Sequence, residues 1–403
     1  MVRTALILAN DERGLQQIFG LPVVRRLVLL MHRAGIEAVH IVSRQESLFA
    51  ALSDLILPEA FHIVRDVEEL DGVLGKISIG QGEGALVARA DLVVDRKSIF
   101  TFVQAPDRFM DSGSMYALAS REKAGTEAIY SAGKDVLSSA ARAIWSPDQS
   151  GLTILDRAEQ LAATPGLPCG VGSEHASVRT AEDRLVAALP SATVNRDGFM
   201  ARHVDRHVSR FISRRLVSTS VTPNGVTLFN VAVGLAGAFL LSRGGYWSQL
   251  IGTLFFLLCV VLDGVDGEIA RLKLQETVFG HYLDIITDNI VHLAIFTGLG
   301  VGLYFQTGNK VYLYLLWVLL GGFAFCAASV YKVSRVNPDK PRSRTVERLT
   351  GLLANRDFAY LLVALAIIGR LSWFLIGSAV GSYLFAVLLL ALDLGERGSP
   401  ARC

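Results

Sequence analysis

The sequence is poor in cysteine, has no excess of either charge, and lacks long apolar runs in its first half. Its 403 residues carry 39 basic and 37 acidic side chains, and the net charge of +2 argues against a general nucleic-acid-binding role. No C-x-x-C pair and no zinc-like spacing occurs among the four cysteines, Cys169, Cys259, Cys326 and Cys403. A disulfide scaffold is therefore not expected.

Hydrophobic residues are unevenly distributed, although the mean hydropathy is high at +0.42. Before about residue 200, short apolar runs alternate with charged segments, as in soluble α/β proteins. After residue 222, apolar stretches long enough to span a bilayer follow one another. We therefore expect a soluble domain at 1–195, a linker at 196–221 and a transmembrane domain at 222–395. No cleavable signal peptide is expected, because the apolar residues before D-E-R are few.

Residues 262–290 concentrate acidic side chains between two apolar runs. Helical periodicity places the small and acidic residues on two stripes, Asp263, Asp266 and Ala270, and then Gly280, Asp284 and Asp288. Two such helices side by side would direct four aspartates into one small space. Carboxylates at membrane depth are costly and mark functional sites, and a hard divalent cation is their natural partner.

The same stretch resembles the signature of the CDP-alcohol phosphotransferase family, D-x2-D-G-x2-A-R-x8-G-x3-D-x3-D. Every fixed position is filled, by Asp263, Asp266, Gly267, Ala270, Arg271, Gly280, Asp284 and Asp288. The resemblance implies a membrane enzyme that moves a substituted phosphate from a CDP-alcohol to an acceptor hydroxyl and releases CMP. It also implies a homodimer formed through the membrane helices.

The family resemblance further implies a role for each residue of the signature. One or two Mg2+ (or Mn2+) ions would be held by Asp263, Asp266 and Asp284, and Asp288 would act as general base and further metal ligand. The CDP-alcohol would contact Asp266, Gly267, Ala270, Arg271 and Gly280. From its side chain alone, Arg271 is equally suited to pair with an aspartate or with a phosphate.

The first 100 residues show the alternation of a parallel α/β sheet. A strand at 2–9, a helix at 21–34 and a strand at 38–42 predict a right-handed βαβ unit, with further strands at 61–64, 85–88 and 92–94. This architecture for the N-terminal domain resembles a Rossmann-like nucleotidyltransferase.

This domain resembles sugar-phosphate nucleotidyltransferases at Leu8, Ala9, Arg13 and the segment G-L-P-V-V at 20–24. The phosphate-binding glycines of that family are replaced by Asn10, Asp11 and Glu12, and its lysine position by Gln16 or Gln17. Phosphate binding needs open N–H groups and positive charge, so acids in this loop would repel a triphosphate. Asp91 matches the family's metal-binding aspartate, or it is an ordinary residue at a strand end. We expect a degenerate, structural domain.

The linker predicts a basic amphipathic helix. Its apolar stripe consists of Val204, Val208, Phe211, Ile212 and Leu216. Such a helix beside a membrane domain is expected to lie along the anionic inner surface, although an ordinary solvated linker helix fits the same pattern. The order D-G-x-x-x-R, basic helix and T-P-N is similar to that of bifunctional enzymes which join an inositol-phosphate cytidylyltransferase to a phosphotransferase.

Six spans complete the prediction of an all-α transmembrane domain, at 225–242, 247–263, 283–305, 311–331, 355–370 and 373–393. The loops on one side hold single cations, and those on the other side hold the basic linker and a basic cluster at 332–348. The positive-inside rule then places both termini and the aspartates on the cytoplasmic side of the inner membrane.

Several assignments stay open at this point. Basic residues suited to a phosphorylated acceptor are Arg210, Arg214, Lys332, Arg335 and Arg342, although basic cytoplasmic loops are common in membrane proteins. The donor is CDP-diacylglycerol or a soluble CDP-alcohol such as CDP-inositol. Two alternatives are a bifunctional enzyme with an active cytidylyltransferase domain and a transporter whose aspartates form a cation path.

Overall fold

The computed structural model of the protein describes residues 2–9, 12–55, 60–77, 84–104, 115–118, 141, 169–171, 175–189, 200–335 and 357–398. By its internal contacts the chain divides into two compact units. The first comprises Met1–Ala192 and Leu272–Leu274, and the second comprises Thr193–Arg271 and Gln275–Cys403.

The first unit combines short strands and helices. Its described strands are β1 (Val2–Ala9), β2 (Gln17–Ile18), β3 (Leu21–Pro22), β4 (Ala38–Ser43), β5 (Phe61–Ile63), β6 (Gly84–Arg89), β7 (Leu92–Val93), β8 (Met115–Leu118) and β9 (Cys169–Gly170). Its described helices are α1 (Val23–Arg33), α2 (Ser47–Ala50), α3 (Val67–Leu74), α4 (Arg96–Gln104) and α5 (His175–Ala188). The predicted strands and the predicted first helix are thus present, with ends shifted by one or two residues.

The main sheet has the strand order β5-β4-β1-β6-β8. All of its pairings are parallel except that between β6 and β8. Alternate residues of β1 pack on opposite faces: Ile7 joins the core that contains α1 residues, whereas Leu6 and Leu8 join the core of α3. A central strand buried on both faces needs a continuous apolar run, which explains A-L-I-L-A. The prediction of a parallel sheet with helices is confirmed. Strand β7 pairs antiparallel with β9 in a separate ladder.

The second unit is helical throughout its described part. Its helices are α6 (Arg206–Leu216), α7 (Pro223–Ser242), α8 (Tyr246–Leu272), α9 (Val278–Thr307), α10 (Val311–Arg335), α11 (Phe358–Ile367) and α12 (Leu371–Gly398). Threonine caps begin two of them: Gly225 N–H donates to Thr222 Oγ1 at 3.2 Å, and Gly280 N–H donates to Thr277 Oγ1 at 2.9 Å. Helix α9 ends at Gly308, whose φ of +70° favours glycine.

Five described helices, namely α7, α8, α9, most of α10 and most of α12, are long and apolar enough to cross a membrane. In its described residues, 357–370, the predicted fifth span contains the 10-residue helix α11 and no longer helix. Ten residues extend about 15 Å along a helix axis, half of a hydrocarbon core of about 30 Å. Gly369, with a φ of +66°, follows this helix and separates it from α12. The six-span count is therefore not confirmed, whereas a multi-pass apolar domain is.

Glycines allow the backbones of α7 and α9 to approach closely. A methyl group on Gly298 would overlap the carbonyl oxygen of Ala238, and one on Gly302 would overlap that of Leu241. A methyl group on Gly234 of α7 would contact Val291 of α9 and Cys259 of α8. In apolar surroundings, close packing of small residues is a main source of helix association. Helix α7 therefore contacts both helices that carry the acidic stretch.

Gly302→Ala is expected to destabilise this contact, because the new methyl group would overlap a carbonyl oxygen that belongs to the backbone. Overpacking of this kind costs about 1–3 kcal/mol. Gly381→Ala is the matched control, since among the described residues no atom beyond its own stretch of helix lies within 4 Å of the added methyl group. Thermal unfolding of the purified protein in detergent would measure the unfolding midpoint of both variants. Equal unfolding midpoints for the two variants would contradict the close contact.

Candidate active site

Three aspartates of the acidic stretch meet where α8 and α9 lie side by side. The side chains are Asp263, Asp284 and Asp288, and one ligand oxygen from each lies within 4.8 Å of the other two. Each residue is half-buried. The spacings within each helix follow from helical periodicity, but the meeting of the two helices is a property of the packing alone.

The geometry fits a hard divalent cation. Oxygen ligands lie about 2.0–2.6 Å from Mg2+ or Ca2+, so two ligands of one ion are at most about 4–5 Å apart. The separation limit of 4.8 Å among the three carboxylate oxygens agrees with this range. An all-oxygen set of three negative charges favours Mg2+ or Mn2+ over metals that prefer sulfur or nitrogen.

Asp266 has a different set of contacts from the other three. It is buried at 6% exposure; Thr227 Oγ1 donates to its Oδ2 at 2.5 Å, and Gly267 N–H donates to its Oδ1 at 2.5 Å. The structure thus groups three of the four predicted aspartates and binds the fourth to α7. Thr227 was missed by sequence reasoning, and its only signal was a hydroxyl within an apolar helix.

The small residues of the signature lie close to polar groups. A methyl group on Gly280 would lie 3.0 Å from Thr277 Oγ1 and 3.2 Å from Asn224 Oδ1, so the T-P-N segment adjoins the start of α9. A methyl group on Gly267 would lie 3.4 Å from Nη1 of Arg271. Ala270, half-buried, precedes Arg271 on α8.

Within the described part of the chain, the buried Nε of Arg271 has no hydrogen-bond partner. A partly buried guanidinium beside acidic residues is suited to an anionic ligand.

The two histidines near the aspartates have different environments. His292 Nδ1 lies 2.7 Å from the carbonyl oxygen of Asp288, and its ring packs against Phe256, Phe296 and Phe358. His281 is exposed. His292 is therefore a packing and hydrogen-bonding side chain.

The candidate acceptor residues are dispersed over several segments. Arg210 Nε donates to the carbonyl oxygen of Arg206 in its own helix at 2.7 Å. Arg214 and Lys332 are exposed, and Arg335 is the last residue of α10. Arg342 lies outside the described residues. Their role in acceptor binding stays a prediction.

In the first unit, the candidate metal ligand Asp91 is bound by two arginines. Arg89 donates to both of its carboxylate oxygens, at 3.0 and 2.5 Å, and Arg13 Nη1 lies 3.5 Å from Oδ2. Asp91 is buried at 4% exposure. The segment Glu12–Leu15 forms a 3-10 turn, and Asn10 and Asp11 lie outside the described residues. The charge of Asp91 is therefore already balanced by protein groups, which opposes a metal-binding role.

Known proteins resemble the second unit. The family model described as CDP-alcohol phosphatidyltransferase matches residues 220–392. The phosphatidylinositol phosphate synthase of Cutibacterium acnes is 32% identical over 167 residues, which cover 39% of this chain and 72% of that protein. The chain belongs to the CDP-alcohol phosphatidyltransferase family.

Other similarities extend over less of the known proteins or are more distant. The bifunctional IPC transferase and DIPP synthase of Aquifex aeolicus is 27% identical over 206 residues, 50% of this chain. The chain spans 46% of that relative's length, less than half. A crystal structure of Mycobacterium tuberculosis phosphatidylinositol phosphate synthase (PgsA1) with CDP-DAG bound has a TM-score of 0.36 and 23% identity, with coverage of 49% of this chain and 98% of that one.

Replacement of a grouped aspartate is expected to weaken cation binding strongly. Asp284→Asn removes one of three clustered carboxylates, and the Mn2+ affinity should fall by more than the roughly 10- to 100-fold typical of an outer-shell partner. Asp266→Asn should weaken Mn2+ binding less than Asp284→Asn, because Asp266 lies outside the group of three and bonds to Thr227. Mn2+ titration followed by electron paramagnetic resonance would measure both variants.

The matched control is Glu46→Gln, which removes an exposed carboxylate from the first unit. Its Mn2+ affinity should equal that of the unaltered protein. Tight Mn2+ binding retained in Asp284→Asn would show that the grouped aspartates do not form the metal site.

Proposed function

We propose that the protein is an integral membrane CDP-alcohol phosphotransferase. It would transfer a substituted phosphate from a CDP-alcohol to an acceptor hydroxyl and release CMP. The observation that carries this proposal is the convergence of Asp263, Asp284 and Asp288, with oxygens within 4.8 Å of one another, on the two helices that contain the family signature. One or two Mg2+ or Mn2+ ions are the proposed cofactors.

The residues of α8 and α9 supply the proposed chemistry. Asp263 and Asp284, with Asp266 nearby on α8, would hold the metal, which when bound neutralises the pyrophosphate charge. Arg271 would pair with a donor phosphate, and the small Gly267, Ala270 and Gly280 would leave room for the cytidine. The guanidinium of Arg271 is available for this role, since its buried Nε lacks a partner among the described residues.

Asp288 is the proposed general base. It would accept the proton of the acceptor hydroxyl while the acceptor oxygen forms a new bond to the phosphorus of the donor. The bond between that phosphorus and the bridging oxygen breaks, and CMP leaves with that oxygen. The products are a phosphodiester, CMP and the proton held by Asp288.

The donor is CDP-diacylglycerol or CDP-inositol, and the acceptor is an alcohol or an alcohol phosphate. The relatives support both choices, since they include phosphatidylinositol phosphate synthases and bifunctional IPC transferase and DIPP synthases. Basic residues proposed for an acceptor phosphate are Arg210, Arg214, Lys332, Arg335 and Arg342. We further propose a homodimer in the inner membrane, with both termini and the aspartates facing the cytoplasm.

For the first unit we propose a Rossmann-like domain of the nucleotidyltransferase type that has lost cytidylyltransferase activity. Its main sheet places β4, β1 and β6 side by side in parallel, as in doubly wound folds. The ion pairs of Asp91 with Arg13 and Arg89 support the loss of activity. The proposed domains are 1–195, a juxtamembrane linker at 196–221 and the membrane domain at 222–395.

The transferase proposal predicts CMP release that requires both a donor and Asp288. Purified protein with Mg2+ would be offered CDP-diacylglycerol or CDP-inositol, each with inositol phosphate or glycerol phosphate. Asp288→Asn should reduce kcat by about 10²- to 10⁴-fold, the usual contribution of a general base. Glu46→Gln should retain full turnover. Metal-dependent uptake of cations into vesicles without any CDP-alcohol binding would favour the transporter alternative instead.

The degenerate-domain proposal predicts that CTP cannot replace a ready-made donor. The full chain given CTP, Mg2+ and inositol phosphate should release no pyrophosphate, because Asp91 is held by two guanidinium groups. CTP-dependent pyrophosphate release that is lost in Asp91→Asn would establish a bifunctional enzyme.

A further inference from the structure

Helix α6 packs within the second unit through a stripe of small polar residues. Asp205, Ser209 and Ser213 follow one another at intervals of four residues and are buried at 8%, 1% and 0% exposure. By contrast, Val208 and Phe211 of the apolar stripe are 41% and 63% exposed. Ile212 and Leu216 of the same helix pack against the apolar core of the second unit. The buried polar residues beside them need hydrogen-bond partners on the helical bundle.

Glu268 of α8 is the main partner of this polar stripe. It is buried at 1% exposure. Ser209 Oγ donates to its Oε1 at 2.8 Å, Ser213 Oγ donates to its Oε2 at 2.7 Å, and Arg206 Nη1 lies 3.4 Å from Oε1. Both carboxylate oxygens thus bond to α6. A second anchor lies at the start of the stripe, where Tyr360 of α11 donates a hydrogen bond to Asp205.

The position of Glu268 on α8 relates this contact to the aspartates. Glu268 follows Asp266 by two residues, so the two side chains leave the helix about 200° apart around its axis. Gly264, one turn before Glu268, faces Ser209, and a methyl group there would lie 3.6 Å from Ser209 Cβ. Helix α8 is therefore held by α6 on one side while Asp266 bonds to Thr227 of α7 on the other.

The buried carboxylate of Glu268 needs the hydrogen bonds and the nearby arginine that surround it. Charge removed from water is tolerated only where hydrogen bonds and an opposite charge compensate it, and breaking such a set leaves an uncompensated buried charge. Rotation of α8 about its axis would separate Glu268 from both serines. The best-attested use of buried polar groups is to specify one register between helices.

We propose that Glu268 is a positioning residue for the metal site. Through Ser209 and Ser213 it sets the rotation of α8, so that Asp263 faces Asp284 and Asp288 of α9. Its effect on metal binding follows from the geometry of the second unit, and only its effect on turnover rests on the proposed function.

The test compares two serine pairs. Ser209→Ala with Ser213→Ala removes both hydroxyl donors of Glu268, whereas Ser218→Ala with Ser220→Ala alters two exposed serines just beyond α6. Mn2+ affinity would be measured by electron paramagnetic resonance on protein that elutes as a single species. The buried pair should weaken Mn2+ binding roughly 10- to 100-fold, as outer-shell changes do, and the exposed pair should not.

A conservative replacement distinguishes a positioning role of Glu268 from a general role in protein stability. Glu268→Gln keeps a side chain of the same shape that can bond to both serines, so it should retain more Mn2+ affinity than Glu268→Ala. In CMP release, the buried serine pair should lower kcat with little change in the donor KM, since the donor-contacting residues are unaltered. If Glu268→Ala does not fold, the serine pair and Glu268→Gln still decide the question.

Two results would overturn the proposal: unchanged Mn2+ affinity and kcat in the folded serine variant, or equal losses in both serine pairs. Failure of the proposed function would look different. If no donor yields CMP but Mn2+ affinity still falls selectively in the buried pair, the positioning role stands and the transferase reaction does not.

Discussion

The close approach of α7 to its neighbours is the constraint on which the rest of the second unit depends. Gly298 and Gly302 bring the backbone of α9 against carbonyl groups of α7, and Gly234 faces both α8 and α9. In an apolar environment such contacts replace the hydrophobic effect as the source of helix association. With α8 and α9 held against α7, three carboxylates face one another at distances suited to a divalent ion. Larger residues at these glycines would separate the helices and disperse the aspartates.

Helix α8 carries three acidic side chains within six residues, and each has a different partner. Asp263 joins the aspartates of α9, Asp266 accepts a hydrogen bond from Thr227 of α7, and Glu268 bonds to two serines of α6. Successive residues turn by about 100° around a helix, so Glu268 lies about 200° from Asp266, whereas Asp263 and Asp266 lie only about 60° apart and differ through the packing of their neighbours. The same short segment therefore supplies a metal-binding surface and two contacts that orient it.

The first unit combines a sheet buried on both faces with a strand-end aspartate that is already paired. Helices of both cores pack against alternate residues of β1, which therefore carries an apolar run. Asp91 at a strand end is balanced by Arg13 and Arg89. Architecture depends on apolar periodicity and survives such changes, whereas chemistry depends on a few polar residues whose charges must stay available.

The local sequence pattern was enough to predict many of the helices and strands and the aspartates of the signature. The apolar alternation predicted β1, α1 and β4, the long apolar runs predicted most of the spans, and the signature identified the family and its aspartates. Periodicity fixes which residues share a helix face, but it does not say which helix lies opposite that face. For that reason only the tertiary structure separated Asp266 from the other three aspartates, gave Glu268 its serine partners and shortened the fifth span to α11. Hydrogen bonds between distant segments depend on packing, which acts over the whole unit and leaves no local signal in the sequence.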